Sequence, residues 1–370
     1  MTIAEPEGRI IETGRQSSTT NKTLNFPLNA WYVAAWDREV TRQPLATRVA
    51  DKPLVLYRTE DGRPVALADA CWHRLAPLSM GKVIGDDIRC PYHGIVYNPA
   101  GRCVAMPAQE VLNPSALVPS YPVVERHRFI WVWVGDPLEA NPDDIPDMHQ
   151  MDDPAWAGDG ETIDLNCNYQ LVMDNLMDLT HEEFLHVSSI GGENISASDF
   201  VVQHEGTDVD LSRWMIDIPA VPFMKSQMKA QHDYTGNVDR WQLIHYRYPS
   251  TICIDVGVAK TGTGAPEGDR SQGINGYVMN AITPVTATTT KYYWAWMRNY
   301  DIKSQLLTTQ IRDGIRHVFT EDTAMLEAQQ KAIEASPDYE FYNLNIDGGG
   351  MWIRRILERA IEAEDRPVRR

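Results

Sequence analysis

Two short clusters carry the plainest chemistry in this 370-residue chain: Cys71 and His73, then Cys90 and His93. The pattern is C-x-H-x16-C-x2-H, so each cluster offers one thiolate and one imidazole. A Rieske-type [2Fe–2S] centre asks for that split, with two cysteines on one iron and two histidines on the other. Replacing two anionic thiolates by neutral imidazoles raises the reduction potential. Pro77, Gly81 and Gly94 suit loops in which backbone amides approach the cluster sulfides. A structural zinc site also uses two Cys and two His. Its cysteine pairs are usually separated by two to four residues, however, and C-x-H departs from that habit. Cys103, Cys167 and Cys253 have no partner spacing and read as small buried apolar groups.

A second constellation lies in DNLMDLTHEEFLH (174–186), which carries Asp178, His181 and His186. Asp178 and His181 share a helix face at this spacing. His186 is five residues past His181, about 140° beyond a full helical revolution. Both imidazoles reach one ion only if the helix ends, bulges or bends near Phe184. Leu176, Met177, Leu179, Phe184 and Leu185 are expected to pack around them. Two histidines and one carboxylate form the facial set of non-haem Fe(II) oxygenases, which leaves positions open for dioxygen. The carboxylate expected to complete it is Asp322, set in a stripe of Ile311, Ile315, Val318, Phe319, Met325, Leu326 and Ile333. An ionised carboxylate there is costly unless paired or metal-bound. The alternative for Asp322 is a buried ion pair with Arg316 or Lys331. Glu321 and Glu327 fall off the stripe and read as solvated. For Asp178 the choice is between a surface charge or cap and a partner to a ligand histidine's second N–H.

The elements that must hold these residues divide the chain. From Phe26 to about Pro137, short apolar runs such as WYVAAW (31–36) and FIWVWVG (129–135) alternate with turn residues and predict a small all-β domain. DPLEANPDDIPDM (136–148) reads as a linker. Residues 168–187 look helical. RWMIDI (213–218), STICIDVGVA (250–259), NGYVMNAIT (275–283) and TTTKYYWAWM (288–297) look like strands. GTGAPEGDRSQG (262–273) has the composition of a mobile loop. Residues 304–336 and 351–364 again look helical. The expected fold is α+β: a flexible arm at 1–25, an all-β [2Fe–2S] domain at 26–140, and a catalytic domain at 141–370 with an antiparallel sheet flanked by helices.

A formal charge of −17 disfavours nucleic-acid binding. No apolar run reaches the length of a membrane span. The polar N-terminus lacks the apolar core of a signal peptide, so the expected compartment is the cytoplasm, where thiols stay reduced.

Together the two motifs resemble the Rieske non-haem iron oxygenases over about residues 26–336. The stretches CWHRLAPLSMGKVIGDDIRCPYHGIVYNPAG, MDNLMDLTHEEFLHVSSIGG and FTEDTAMLEAQQ are similar to the aryl-ether demethylase branch typified by vanillate O-demethylase oxygenase components. The resemblance implies a homotrimer in which each cluster serves the catalytic iron of the neighbouring subunit. His93 of one chain would then reach Asp178 of the next, and Asp178 would reach His181. It places the third iron ligand on Asp322 and a polar residue near the iron at Asn175. It also implies hydroxylation of the methoxy carbon of a methoxybenzoate such as vanillate, yielding formaldehyde and a phenol.

Dioxygen would be the co-substrate. Electrons from NAD(P)H would enter through a separate flavin- or ferredoxin-type reductase, because the chain has no glycine-rich dinucleotide fingerprint. Asn280 aligns with a pocket position of that branch, and Arg247 and Tyr248 are further candidates for substrate contact. Two rival readings remain. One is ring or methyl hydroxylation of another aromatic acid or sulfonate. The other is an electron-transfer protein without catalytic iron.

Overall fold

The computed structural model describes residues 26–107, 109–186, 190 and 198–364. The arm expected at 1–25 lies outside them. The first part of the described chain is built from three small antiparallel sheets. Phe129–Val134, all β-branched or aromatic, is buried at every position and pairs with Ala30–Trp36 and Val123–Arg126. Leu45–Val49, Lys52–Arg58, Pro64–Ala68 and Ser120–Tyr121 form the second sheet. Lys82–Ile84, Asp87–Arg89, Val96–Tyr97 and Cys103–Ala105 form the third.

The second part is organised by one seven-stranded antiparallel sheet. Its order is Ala157–Leu165, Thr289–Arg298, Gly273–Thr286, Thr251–Lys260, Val238–Arg247, Asp208–Ile218 and Phe200–Glu205. Side chains alternate across a strand, and the two faces have different neighbours. Ile252, Ile254, Val278, Ile282, Tyr292 and Trp294 face a core shared with helices. Cys253, Met279, Ala281, Tyr293, Ala295 and Met297 pack against Trp31, Trp36, Phe129 and Trp131 of the N-terminal sheets. The helices are α1 (Tyr169–Met177), α2 (Glu182–Leu185), α3 (Pro222–His232), α4 (Gln305–Ala335) and α5 (Gly348–Glu364).

Several expectations change. The helix read over 168–187 stops at Met177. Leu179–His181 forms a tight turn, and α2 ends just before His186. The break thus falls at Asp178, six residues before Phe184, and Phe184 is 73% exposed rather than packed. The strand at 157–165 and α3 lie outside the elements read from the sequence, and the strands at 200–205 and 238–247 add to the strand-like runs of the middle region. The 262–273 segment is tied down by Gly262 N–H to Asp239 (2.9 Å) and Arg270 to Asp255 (2.6 Å).

Gly81 shows how tightly the third sheet is closed. A Cβ there would lie 2.1 Å from the carbonyl oxygen of Arg89, the residue before Cys90. Gly81→Ala should cost about 1–3 kcal/mol, as overpacking generally does. The expected result is a lower unfolding midpoint together with weaker visible absorbance from the iron–sulfur cluster expected on Cys71 and Cys90. Wild-type values for both would show that the close approach is not limiting.

Candidate active site and metal centres

The two Cys–His loops share one backbone design. Cys71 C=O accepts from Leu75 N–H (2.9 Å), and Cys71 N–H donates to Ala76 (2.9 Å). Cys90 repeats this with Gly94 (3.2 Å) and Ile95 (2.8 Å). Gly94 holds φ +73°, a left-handed value that glycine adopts without strain. Both thiols are buried, and Tyr97 Oη lies 3.2 Å from Cys71 Sγ. Burial pushes the Cys90 thiol up, while backbone N–H groups of Tyr92 and His93 pull the other way. His73 and His93 are exposed, with Nδ1 atoms 3.2 Å apart. Two sulfurs inward and two imidazole nitrogens together at the surface are the donors a Rieske cluster takes.

The second site forms where α1 breaks. Asp178 ends α1, and its carboxylate accepts from Thr180 N–H (2.8 Å) and Thr180 Oγ1 (2.6 Å). Its backbone carbonyl lies 2.5 Å from His181 Nδ1. This turn brings His181 and His186 to ring centroids 5.1 Å apart. Asp322 reaches them from α4, whose buried stripe is Leu307, Ile311, Ile315, Val318, Asp322, Leu326 and Gln330. Met325, expected on that stripe, is exposed. Asp322 Oδ1 is 3.4 Å from His181 Nε2 and 3.2 Å from His186 Nε2. Burial opposes its charge, but hydrogen bonds with both histidines hold its carboxyl at about 2. Asn175 Nδ2 donates to Asp322 Oδ1 (3.1 Å) and lies 3.4 Å from His181 Nε2.

One ligand atom from each of the three residues lies within 4.8 Å of the others. Two imidazoles and one carboxylate fit a non-haem Fe(II) ion. Arg316, one alternative partner for Asp322, instead pairs with Glu161.

Glu321 was read as solvated, yet its Oε2 lies 2.8 Å from Nδ1 of His186. Glu321 is thus the carboxylate at a ring N–H of this histidine pair, whereas Asp178 meets His181 through its backbone carbonyl. Glu327 accepts from Asn166 rather than standing free.

Asn175, His181, His186 and Asp322 line a cavity of about 300 Å³. Ile254, Val256, Val278 and Trp296 from the sheet and Val318 and Phe319 from α4 give it apolar walls. At one side it meets a polar group that the sequence concealed. Glu182 accepts from Arg240 Nη2 (3.0 Å) and Gln242 Nε2 (2.9 Å). In VDRWQLIHYR, Arg240 and Gln242 alternate with Trp241 and Leu243, which resembles a solvent face; only the folded sheet shows that the polar side is inside.

The three candidate substrate contacts lie elsewhere. Asn280 is fully buried, donating to Ile252 and Val278 carbonyls and accepting from Tyr292. Arg247 pairs with Asp208 and Asp210. Tyr248 packs beside the cis Tyr248–Pro249 bond against two hydrophobic cores. Strand pattern alone does not say which inward position meets a cavity and which meets solid core.

Residues 165–363 match the vanillate O-demethylase oxygenase C-terminal domain family, and residues 30–122 match the Rieske [2Fe-2S] domain family. The chain is 39% identical over 345 residues to the iron-sulfur subunit of the toluene-4-sulfonate monooxygenase system of Comamonas testosteroni, covering 92% of this chain and 98% of that one. It is 39% identical to the vanillate O-demethylase oxygenase subunit of Pseudomonas sp. (strain HR199 / DSM 7063), covering 92% and 96%. The crystal structure of dicamba monooxygenase bound to 3,6-dichlorosalicylic acid superposes with a TM-score of 0.85 at 30% identity, covering 92% and 98%.

The chain therefore belongs to the Rieske non-haem iron oxygenases, in the vanillate O-demethylase branch. It is a monooxygenase component with a [2Fe–2S] cluster and a mononuclear iron, of the kind that works with a separate reductase. Among the described residues, no helix is long and apolar enough to cross a membrane.

Partners that orient a ligand histidine typically change metal affinity by about 10–100-fold. Glu321→Ala should therefore release iron about that much faster into chelator, with the cluster's spin-resonance signal unchanged. Iron retention equal to wild type would show the Glu321–His186 contact to be idle.

Proposed function

We propose that this chain hydroxylates the methoxy carbon of a methoxybenzoate such as vanillate. The observation that carries the proposal is the placement of His181, His186 and Asp322 on the wall of an apolar cavity of about 300 Å³. That volume sits at the small end of ligand cavities, roughly 300–1,000 Å³, and suits one substituted ring. Insertion of one oxygen atom into a methoxy C–H bond gives a hydroxymethyl ether, which collapses to formaldehyde and a phenol.

Cys71, His73, Cys90 and His93 would hold the cluster, and His181, His186 and Asp322 the iron. When bound, these centres deliver electrons and activate dioxygen. The chain's own groups set the stage. Glu321 and the Asp178 carbonyl fix the two imidazoles through Nδ1, leaving each Nε2 for the ion. Asn175 holds the Asp322 carboxylate by donating to Oδ1. Phe319, Trp296 and Val278 keep water away and confine the ring.

The proposed working unit is a homotrimer, with Asp178 as the bridge between His93 of one chain and His181 of the next. The sheet supports this reading, because its two faces separate the N-terminal core from the His181 site within one chain. The proposed division into a [2Fe–2S] domain at 26–140 and a catalytic domain at 141–370 follows the same seam.

A second reading, methyl hydroxylation of an aryl sulfonate, is supported by the equal identity to the toluene-4-sulfonate system subunit. Product analysis separates the two. Formaldehyde released in step with NADH oxidation on methoxybenzoates is the expected result. A hydroxymethyl arene from a tolyl substrate, with no formaldehyde from any methoxybenzoate, would favour the sulfonate reading.

Electron transfer between subunits has its own test. Cluster-dead His93→Ala chains mixed with iron-dead His181→Ala chains should recover part of the activity that neither has alone. Verified mixed trimers without rescue would argue for transfer within a chain.

A further inference from the structure

One stretch of the cavity wall faces outward. Among the described residues that line the cavity, the exposed ones are Gln310, Gly314 and His317. They lie on α4, four and three residues apart, and so form one ridge along the helix. The next position on that ridge is Glu321, which meets Nδ1 of His186. On the inner side of the same helix, Ile311, Ile315 and Val318 are buried. The cavity therefore opens to solvent along the 310–317 ridge, and the ridge leads down to the His181, His186 and Asp322 donors.

Gly314 stands in the middle of this opening, and no local need of the helix accounts for it. It lies in the body of a 31-residue helix, away from both ends, so it caps nothing. Glycine weakens a helix interior relative to alanine, because it gives up more conformational freedom on folding. A helical glycine can be explained where a neighbour takes the space of its side chain. Gly350 is such a case, since a Cβ there would lie 2.8 Å from Asp174 Oδ1. At Gly314 a Cβ would meet no described atom within 4 Å. The space left by the missing side chain is filled by nothing among the described residues.

We propose that Gly314 is the threshold of the cavity: with no side chain between Gln310 and His317, a ring-sized molecule passes α4 there on its way in and its product leaves the same way. The residue at 314 then sets how fast such molecules reach the iron site. The walls that would hold a bound ring lie deeper, at Val278, Trp296 and Phe319. A side chain at 314 raises the barrier to passage in both directions without touching the bound ring. Association and release slow by the same factor, and affinity, which is their ratio, stays constant. The inference rests on the reading that this cavity is the substrate chamber.

The test uses iron-loaded holoenzyme and two probes that do not depend on which substrate the enzyme turns over. 4-Nitrocatechol is a single ring whose absorption shifts when it chelates ferric iron. Nitric oxide is diatomic and reports on ferrous iron by spin resonance. In Gly314→Leu, stopped-flow association and release of 4-nitrocatechol should both slow about tenfold, with the dissociation constant within about threefold of wild type. Nitric oxide should bind at the wild-type rate. Gly314→Ala should slow the ring less, and its unfolding midpoint should rise, because alanine is the better helix former and meets no neighbour.

Wild-type ring kinetics in Gly314→Leu would place the entrance elsewhere and overturn the proposal. So would a changed affinity at an unchanged association rate, which marks a wall and not a threshold. Equal slowing of both probes would mean a disturbed iron site, and a lowered midpoint in Gly314→Ala would mean that the space is not open; either result also overturns it. Formaldehyde keeps the parent reading separate. Methoxybenzoates that release none from a wild type with the predicted ring kinetics would refute O-demethylation and leave the threshold standing.

Discussion

An ionised carboxylate on the apolar face of a long helix is tolerated only where donors or cations surround it. Asp322 meets that condition through His181, His186 and Asn175, and much of the catalytic half follows from it. α4 must lie with this face against α1 and the sheet. The chain carrying the histidines must stop being a continuous helix, because five residues of α-helix would point them about 140° apart. Asp178 performs the interruption by capping the next turn through Thr180. The same residue then presents its carbonyl to His181. A local device of helix termination thereby fixes an imidazole.

The seven-stranded sheet does the large-scale positioning. One face carries the cavity and the other is the seam with the N-terminal sheets. The cluster loops lie in a different core, organised around Val55, Tyr57 and Tyr97. The thiols sit inside that core, and the imidazoles come out at its surface. The two centres thus have opposite surroundings. His73 and His93 face solvent, while His186 and Asp322 are buried beside the cavity.

The candidate metal donors stand out in the sequence because the chemistry they would serve restricts both residue type and spacing. Cys71, His73, Cys90 and His93 stand on a pattern few other structures need. Asp322 showed itself as an acid on a stripe of Ile315, Val318 and Leu326. What could not be read is what depends on tertiary facing. Glu321 looked solvated because it leaves the stripe by one position, and only the fold brings it to His186. Arg240 and Gln242 alternate with large apolar residues, so the pattern gave no sign that their side is inward. Asn280 shares the cavity-side face of its strand but lands in solid core. Helix α3 and the Ala157–Leu165 strand were missed because AGDGETIDL and PFMKSQMKAQH have weak periodicity. Tertiary packing decides such segments.

The alternation along three neighbouring strands separates two tasks by single residues. Val278 shapes the cavity while Met279 beside it holds the two halves of the chain together. Trp296 and Met297 repeat the arrangement on the next strand, as Ile254 and Cys253 do on the one before. A lineage can therefore remodel its substrate chamber at every second position while the glue between halves stays untouched. Such a scaffold evolves by changing the lining and not the frame.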